Sequence, residues 1–132
     1  MEVVHLEGLS LVDYRQESIE NARGAIKAVT LLNGGAAVAL LTQISTIKSE
    51  IAGAVLTAMA WWSVGLALAA CAWVAAFLST RYVDKWLDEK EDAHRVTSNN
   101  AQYTGIGMIL GSILCFVIGC MLLAAGFHGA YA

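Results

Sequence analysis

Proline is missing from this sequence altogether, so no proline interrupts a helix anywhere along its 132 residues. Charge is scarce as well. Only 14% of the residues are charged, against about 25% in an ordinary soluble domain, while 58% are hydrophobic and the mean hydropathy is +0.60. That balance excludes a typical water-soluble domain and points to lipid. Positive charge is in deficit too, and the formal net charge is -3. A duplex nucleic-acid partner needs a basic footprint and is not expected here. The cysteines, Cys71, Cys115 and Cys120, are odd in number and all lie in apolar runs. They give no disulfide framework and read as small packing residues.

Catalytic patterns are lacking. No HExxH, CxxC, GxSxG or phosphate-binding loop occurs, and His5, His94 and His128 fall in three separate segments. The acids Asp88, Glu89, Glu91 and Asp92 cluster as the solubilising surface of a helix does, not as a metal cage. The expectation is therefore no enzyme, no metal and no cofactor. The apolar stretches also lack any ionisable residue between their ends, which disfavours a proton-coupled carrier. A secretory signal would open with a basic region and a short apolar core. The leading residues carry Glu2, Glu7, Asp13, Glu17 and Glu20 instead, so the first span is expected to stay in the mature protein.

What is present divides into three apolar stretches, each long enough to cross a hydrocarbon core of about 30 Å as a helix of some 20 residues. The expected architecture is an all-α membrane protein within one domain. An N-terminal amphipathic cytoplasmic helix (1–27) leads into three spans at about 28–47, 55–80 and 103–127. The second span has a helical cytoplasmic extension, a charged loop covers 81–100, and a short external tail covers 128–132. Ile19, Ala22, Ile26 and Val29 recur at helical spacing, so a helix is expected from about Leu11, with Gly24 as a loosening point. It reads as a membrane-surface helix or as a collar where subunits or a regulator meet.

The first span, Ala28 to Ile47, is followed by a polar break of only Lys48, Ser49 and Glu50. Such a short break requires an antiparallel pair. The second apolar run, Ile51 to Thr80, exceeds one perpendicular crossing. Trp61 and Trp62 suggest an interfacial position at its start, leaving roughly Ala60 to Thr80 in lipid, with Trp73 deeper. In the charged loop, Lys85 with Glu89 and Glu91 with Arg95 are spaced for helical ion pairs. Thr97, Ser98, Asn99 and Asn100 supply turn and cap chemistry. That loop is a solvated face or a docking surface for a cytosolic partner. In the third span Gly107, Gly111, Cys115 and Gly119 succeed each other at steps of four, a small-residue ribbon for helix packing.

Seven of the eight basic residues precede the first span or lie between the second and third. By the positive-inside rule the amino terminus is cytoplasmic and the carboxyl terminus external. A multi-pass membrane location follows as the expectation. Inside the spans the polar residues are neutral: Thr30, Asn33, Thr57, Ser63 and Ser112, with Gln43 nearer the outer end. Asn33 shares a helix face with Thr30 and Ala37, which together form either a structural hydrogen-bond site or the polar ring of a pore. Gly34 and Gly35 beside it suit close packing or the flexing point of a gate. Three helices enclose little private interior, so a homo-oligomer is expected, with a tetramer as one candidate size and a neutral pore gated by wetting.

The stretch LLNGGAAVALL, Leu31 to Leu41, entered from a polar helix, resembles the channel-forming membrane effector of Hailong-type phage-defence systems. The resemblance covers mainly residues 11 to 47. It implies an ion channel held shut by a nucleotide-derived ligand from a partner nucleotidyltransferase, and depolarisation when infection lifts that block. Arg15, Arg23, Lys85 and Arg95 are the candidate ligand or partner contacts, as basic residues on the cytoplasmic side. Two other readings stand beside the channel: a non-conducting membrane adaptor that recruits a cytosolic partner, and a holin-like phage protein.

Overall fold

The computed structural model describes residues 2–47, 49–89 and 92–131, with side chains described for 16–47, 49–86 and 93–129. Helix α1 runs unbroken over Glu2–Thr42, α2 over Ala52–Glu89 and α3 over Asp92–Tyr131. Three helices are long and apolar enough to span a membrane, within Gln16–Thr42, Ser49–Trp86 and Ala93–Gly129. At 1.5 Å per residue each of α1 to α3 is close to 60 Å long, about twice the hydrocarbon thickness, so each projects well beyond it. The continuous helix expected from Leu11 into the first span is present and begins earlier, at Glu2.

The first span stops sooner than its hydropathy suggests. Helix α1 ends at Thr42, not Ile47, and Ile44–Thr46 and Ser49–Ile51 are single 3-10 turns around an extended Ile47 (φ -72, ψ 124). The polar residues there build the turn. Thr42 Oγ1 donates to the Ala39 carbonyl at 2.7 Å, Thr46 Oγ1 to that of Gln43 at 2.8 Å, and Thr46 N to Gln43 O at 2.9 Å. Hydroxyls that bond nearby carbonyls satisfy acceptors a helix end leaves open.

The other connection is tighter than expected. Thr97, Ser98, Asn99 and Asn100 lie inside α3 and form no turn, because α2 and α3 together take up nearly all of the charged region 81–100. Thr97 Oγ1 bonds the Ala93 carbonyl one turn back (2.9 Å), and Ser98 Oγ bonds the Ser79 carbonyl of α2 (3.0 Å). Arg95 lies over the Trp86 ring, 5.6 Å from its centroid. The side chains of Glu89 and Glu91, named as its and Lys85's ion-pair neighbours, lie outside the described ones.

The core sits between α2 and α3, packed as an antiparallel pair with heptad spacing. Ile51 at the end of the preceding turn and Val55, Ala58, Trp62, Gly65, Ala69 and Ala72 on α2 are buried at alternating steps of four and three, and Ala75 continues the buried face. On α3 the small residues Ser98, Gly105, Ser112, Gly119 and Gly126 recur every seven residues and meet α2 in descending order. Ser98 meets Ser79, Gly105 meets Ala75, Ser112 meets Gly65, Gly119 meets Trp62, and Gly126 meets Ala54. A 3.5-residue period keeps one seam on the partner along the whole contact. The expected step-of-four ribbon is therefore only half used. Gly119 and Cys115 are buried and Gly111 approaches Leu68, but Gly107 has drifted off the seam and meets nothing. Four steps of one hundred degrees overshoot a full turn, so such a ribbon winds around the helix.

Trp62 departs most from its expected interfacial place. It is 3% exposed, stacks on Phe116 with ring centroids 6.3 Å apart, and donates Nε1–H to the Phe116 carbonyl at 3.2 Å. Gly119 leaves it the room. Trp61, its neighbour in sequence, faces outward.

Candidate functional site

Helix α1 packs on the α2–α3 pair through Ile26, Val29 and Asn33, all buried, and Asn33 is 0% exposed. Ile19 and Ala22, the upstream half of the expected stripe, are exposed. Where Asn33 enters the pair it meets a closely packed point, at Gly65 and Ser112. Its Nδ2 donates to the Val29 carbonyl at 3.0 Å and to Ser112 Oγ and O at 3.0 and 3.3 Å. Ser112, also 0% exposed, donates in turn to the Gly65 carbonyl at 2.8 Å. One residue from each helix thus forms a continuous polar chain, Asn33 to Ser112 to Gly65.

Gly65 makes this chain possible. A Cβ there would overlap the Asn33 amide, so its missing side chain is the space the amide occupies. Asn33 Oδ1 is buried and accepts no hydrogen bond. It points toward the Gly65 hydrogen that stands where a Cβ would be, a weak C–H contact at best. A buried carbonyl left without a donor is costly in apolar surroundings. The site is a three-helix pin with one unsatisfied acceptor.

No protein-family model, curated protein or solved structure matches this chain.

The geometry of the site separates the residues grouped as a polar ring. Asn33 faces the interior of the three-helix bundle. Thr30 is exposed and bonds its own helix through Ile26 O at 2.8 Å, and Ala37 is half-buried. The Asn33 amide is held by Ser112 of the same chain. Gly34 sits 3.8 Å from Leu66 at the Cβ position, in ordinary contact, and Gly35 meets nothing. The basic candidates are dispersed as well. Arg23 is exposed on α1, Arg95 is held over Trp86, and Lys85 lines a shallow cleft with Arg81; the side chain of Arg15 lies outside the described ones. Ser112 and Gly65 were missed as site residues, although the seven-residue recurrence from Ser98 to Gly126 places Ser112 on the packing seam.

The chain of bonds sets an expected result. Ser112→Ala removes an acceptor from Asn33 and the donor to Gly65. Polar contacts between membrane helices average about 0.6 kcal/mol with a maximum near 1.7, so the loss should fall near the upper figure. Unfolding by SDS from bicelles measures it, and a variant as stable as the parent would show that the pin contributes nothing.

Proposed function

We propose that the protein assembles as a homo-oligomeric ion channel of the bacterial inner membrane, with a cytoplasmic amino terminus and an external carboxyl terminus. Its opening depolarises the cell. Gating by a nucleotide-derived ligand from a partner nucleotidyltransferase, as the resemblance of Leu31 to Leu41 implies, belongs to the same reading. The protomer's interior is filled by the Asn33 pin, Trp62 and the small-residue seam, so a conducting path must lie between copies.

One observation carries the reading. The face of α2 opposite its core presents Gly53, Thr57, Ala60, Val64, Ala67 and Cys71, again at alternating steps of four and three, and all are exposed. The outward faces of the other helices carry bulky residues such as Leu31, Val38, Leu110 and Met121. Small residues at heptad spacing favour close helix approach, and lipid offers no reason to select them. The Thr57 and Ser63 hydroxyls bond their own helix at Gly53 O and Met59 O, which suits a neutral lining.

Cys71 and Cys120 are exposed and free. With Cys120→Ser, oxidation across the α2 seam should give a covalent dimer through Cys71, absent when Cys71→Ser is added. Single-channel recording in planar bilayers then tests conduction, and discrete steps abolished or resized by Ala60→Trp are expected. A protein that cross-links but stays silent, even after refolding free of ligand, would be an adaptor and not a channel.

A further inference from the structure

At the charged end of the bundle, α2 carries a feature that neither the pin nor the pore uses. Arg81 and Lys85 are exposed one turn apart and, with Phe77, Leu78 and Tyr82, line a shallow cleft of about 290 Å³. The Arg81 guanidinium lies over the Phe77 ring, 5.9 Å from its centroid, and the Tyr82 ring stacks on His94 of α3 at 6.1 Å. Among the described residues no carboxylate pairs with Arg81 or Lys85. Arg81 is therefore held over an aromatic ring, and Lys85 stands one turn along the same cleft.

From this geometry we infer a binding site for the head group of an anionic phospholipid, formed by Arg81, Lys85 and Tyr82. The phosphate diester sits between the guanidinium and the ammonium, where Arg supplies a planar fork of donors and Lys a mobile point charge. The Tyr82 hydroxyl stands at the level where amphipathic rings gather. Phe77 and Leu78, both exposed, continue the cleft one turn toward the apolar part of α2. There an acyl chain lies along them. A soluble nucleotide offers the same phosphate but nothing to cover those two side chains, so the lipid is the better fit. Basic pockets beside membrane helices recognise anionic head groups by the same chemistry. The site requires only that α2 cross the membrane and is independent of whether the protein conducts.

The test uses the full chain, purified in a neutral detergent and titrated with phosphatidylglycerol or phosphatidylcholine under native mass spectrometry. Phosphatidylglycerol should be retained preferentially, and Arg81→Gln with Lys85→Gln should weaken its binding roughly 30-fold. Arg23→Gln with Lys27→Gln, an equal loss of charge on α1, should leave it unchanged, and Arg81→Lys should fall between. Equal retention of the two lipids, or equal effects of the two double variants, would overturn the site. So would displacement of phosphatidylglycerol by a short DNA oligonucleotide at matched phosphate concentration, which would assign the cleft to a soluble nucleotide.

Discussion

Adding one methyl group at Gly65 should destabilise this protein more than deleting the whole Asn33 amide. Gly65→Ala places a Cβ on the Asn33 side chain, which is 0% exposed and tied to Val29 and Ser112. A short, fully enclosed side chain has nowhere to retreat, so α1 must move off α2. Overpacking of this kind costs about 1–3 kcal/mol. Asn33→Ala removes interhelical bonds whose ceiling in membranes is about 1.7 kcal/mol, and it also removes the unsatisfied Oδ1, which offsets part of that loss. The two changes must couple. In Asn33→Ala with Gly65→Ala the two new methyl groups share the space of the lost amide, and the double variant should be more stable than Gly65→Ala alone. Steric trapping or SDS unfolding of all four proteins closes the cycle. Simple additivity would mean that Asn33 and Gly65 do not share that space.

The same pair shows where sequence reading reached the site and where it stopped. Asn33 stands out as the amide deep inside an apolar span, because hydropathy exposes a polar residue wherever it lies. Its partner glycine does not, since a glycine that makes room for a side chain on another helix carries no mark in its own neighbourhood. The spans were legible from composition for the first reason, and their ends were blurred by a related one. Averaged hydropathy carried the first span through Thr42, Gln43 and Thr46, yet those side chains bond back to the chain and close a turn. Ser98, Asn99 and Asn100 have the opposite history. Their propensity favours turns, but Ser98 is buried against Ser79 and the contact holds the helix through them. Tertiary packing outweighs propensities worth under about 1 kcal/mol per residue. In α3 the small residues were visible but the period was misjudged. Counting in sevens from Ser98 follows the seam throughout, whereas counting in fours from Gly107 starts off it and reaches it only further along.

Trp62 should be at least as sensitive a position, and the way its variants divide distinguishes two physical roles. As a head-group anchor it would tolerate another aromatic poorly, since an anchor needs the polar N–H, and alanine and phenylalanine would cost similar amounts. As a packed core residue it should tolerate phenylalanine well and alanine badly. Trp62→Phe keeps a ring against Phe116 and gives up one hydrogen bond, a loss of about 1 kcal/mol. Trp62→Ala should cost about 3 kcal/mol, the low end for a buried aromatic. The low end applies because lipid is as apolar as the core, so packing is lost but little transfer energy goes with it. The void would also merge with an open apolar groove of about 470 Å³ between α1 and α3, which Trp62 lines with Leu40, Phe116 and Leu123. Fluorescence gives an independent check. A protein retaining only Trp62, with phenylalanine at 61, 73 and 86, should emit at short wavelength and resist iodide. Emission at long wavelength with ready quenching would return Trp62 to the membrane surface and undo the α2–α3 register, because Gly119 and Phe116 are paired with it in that seam.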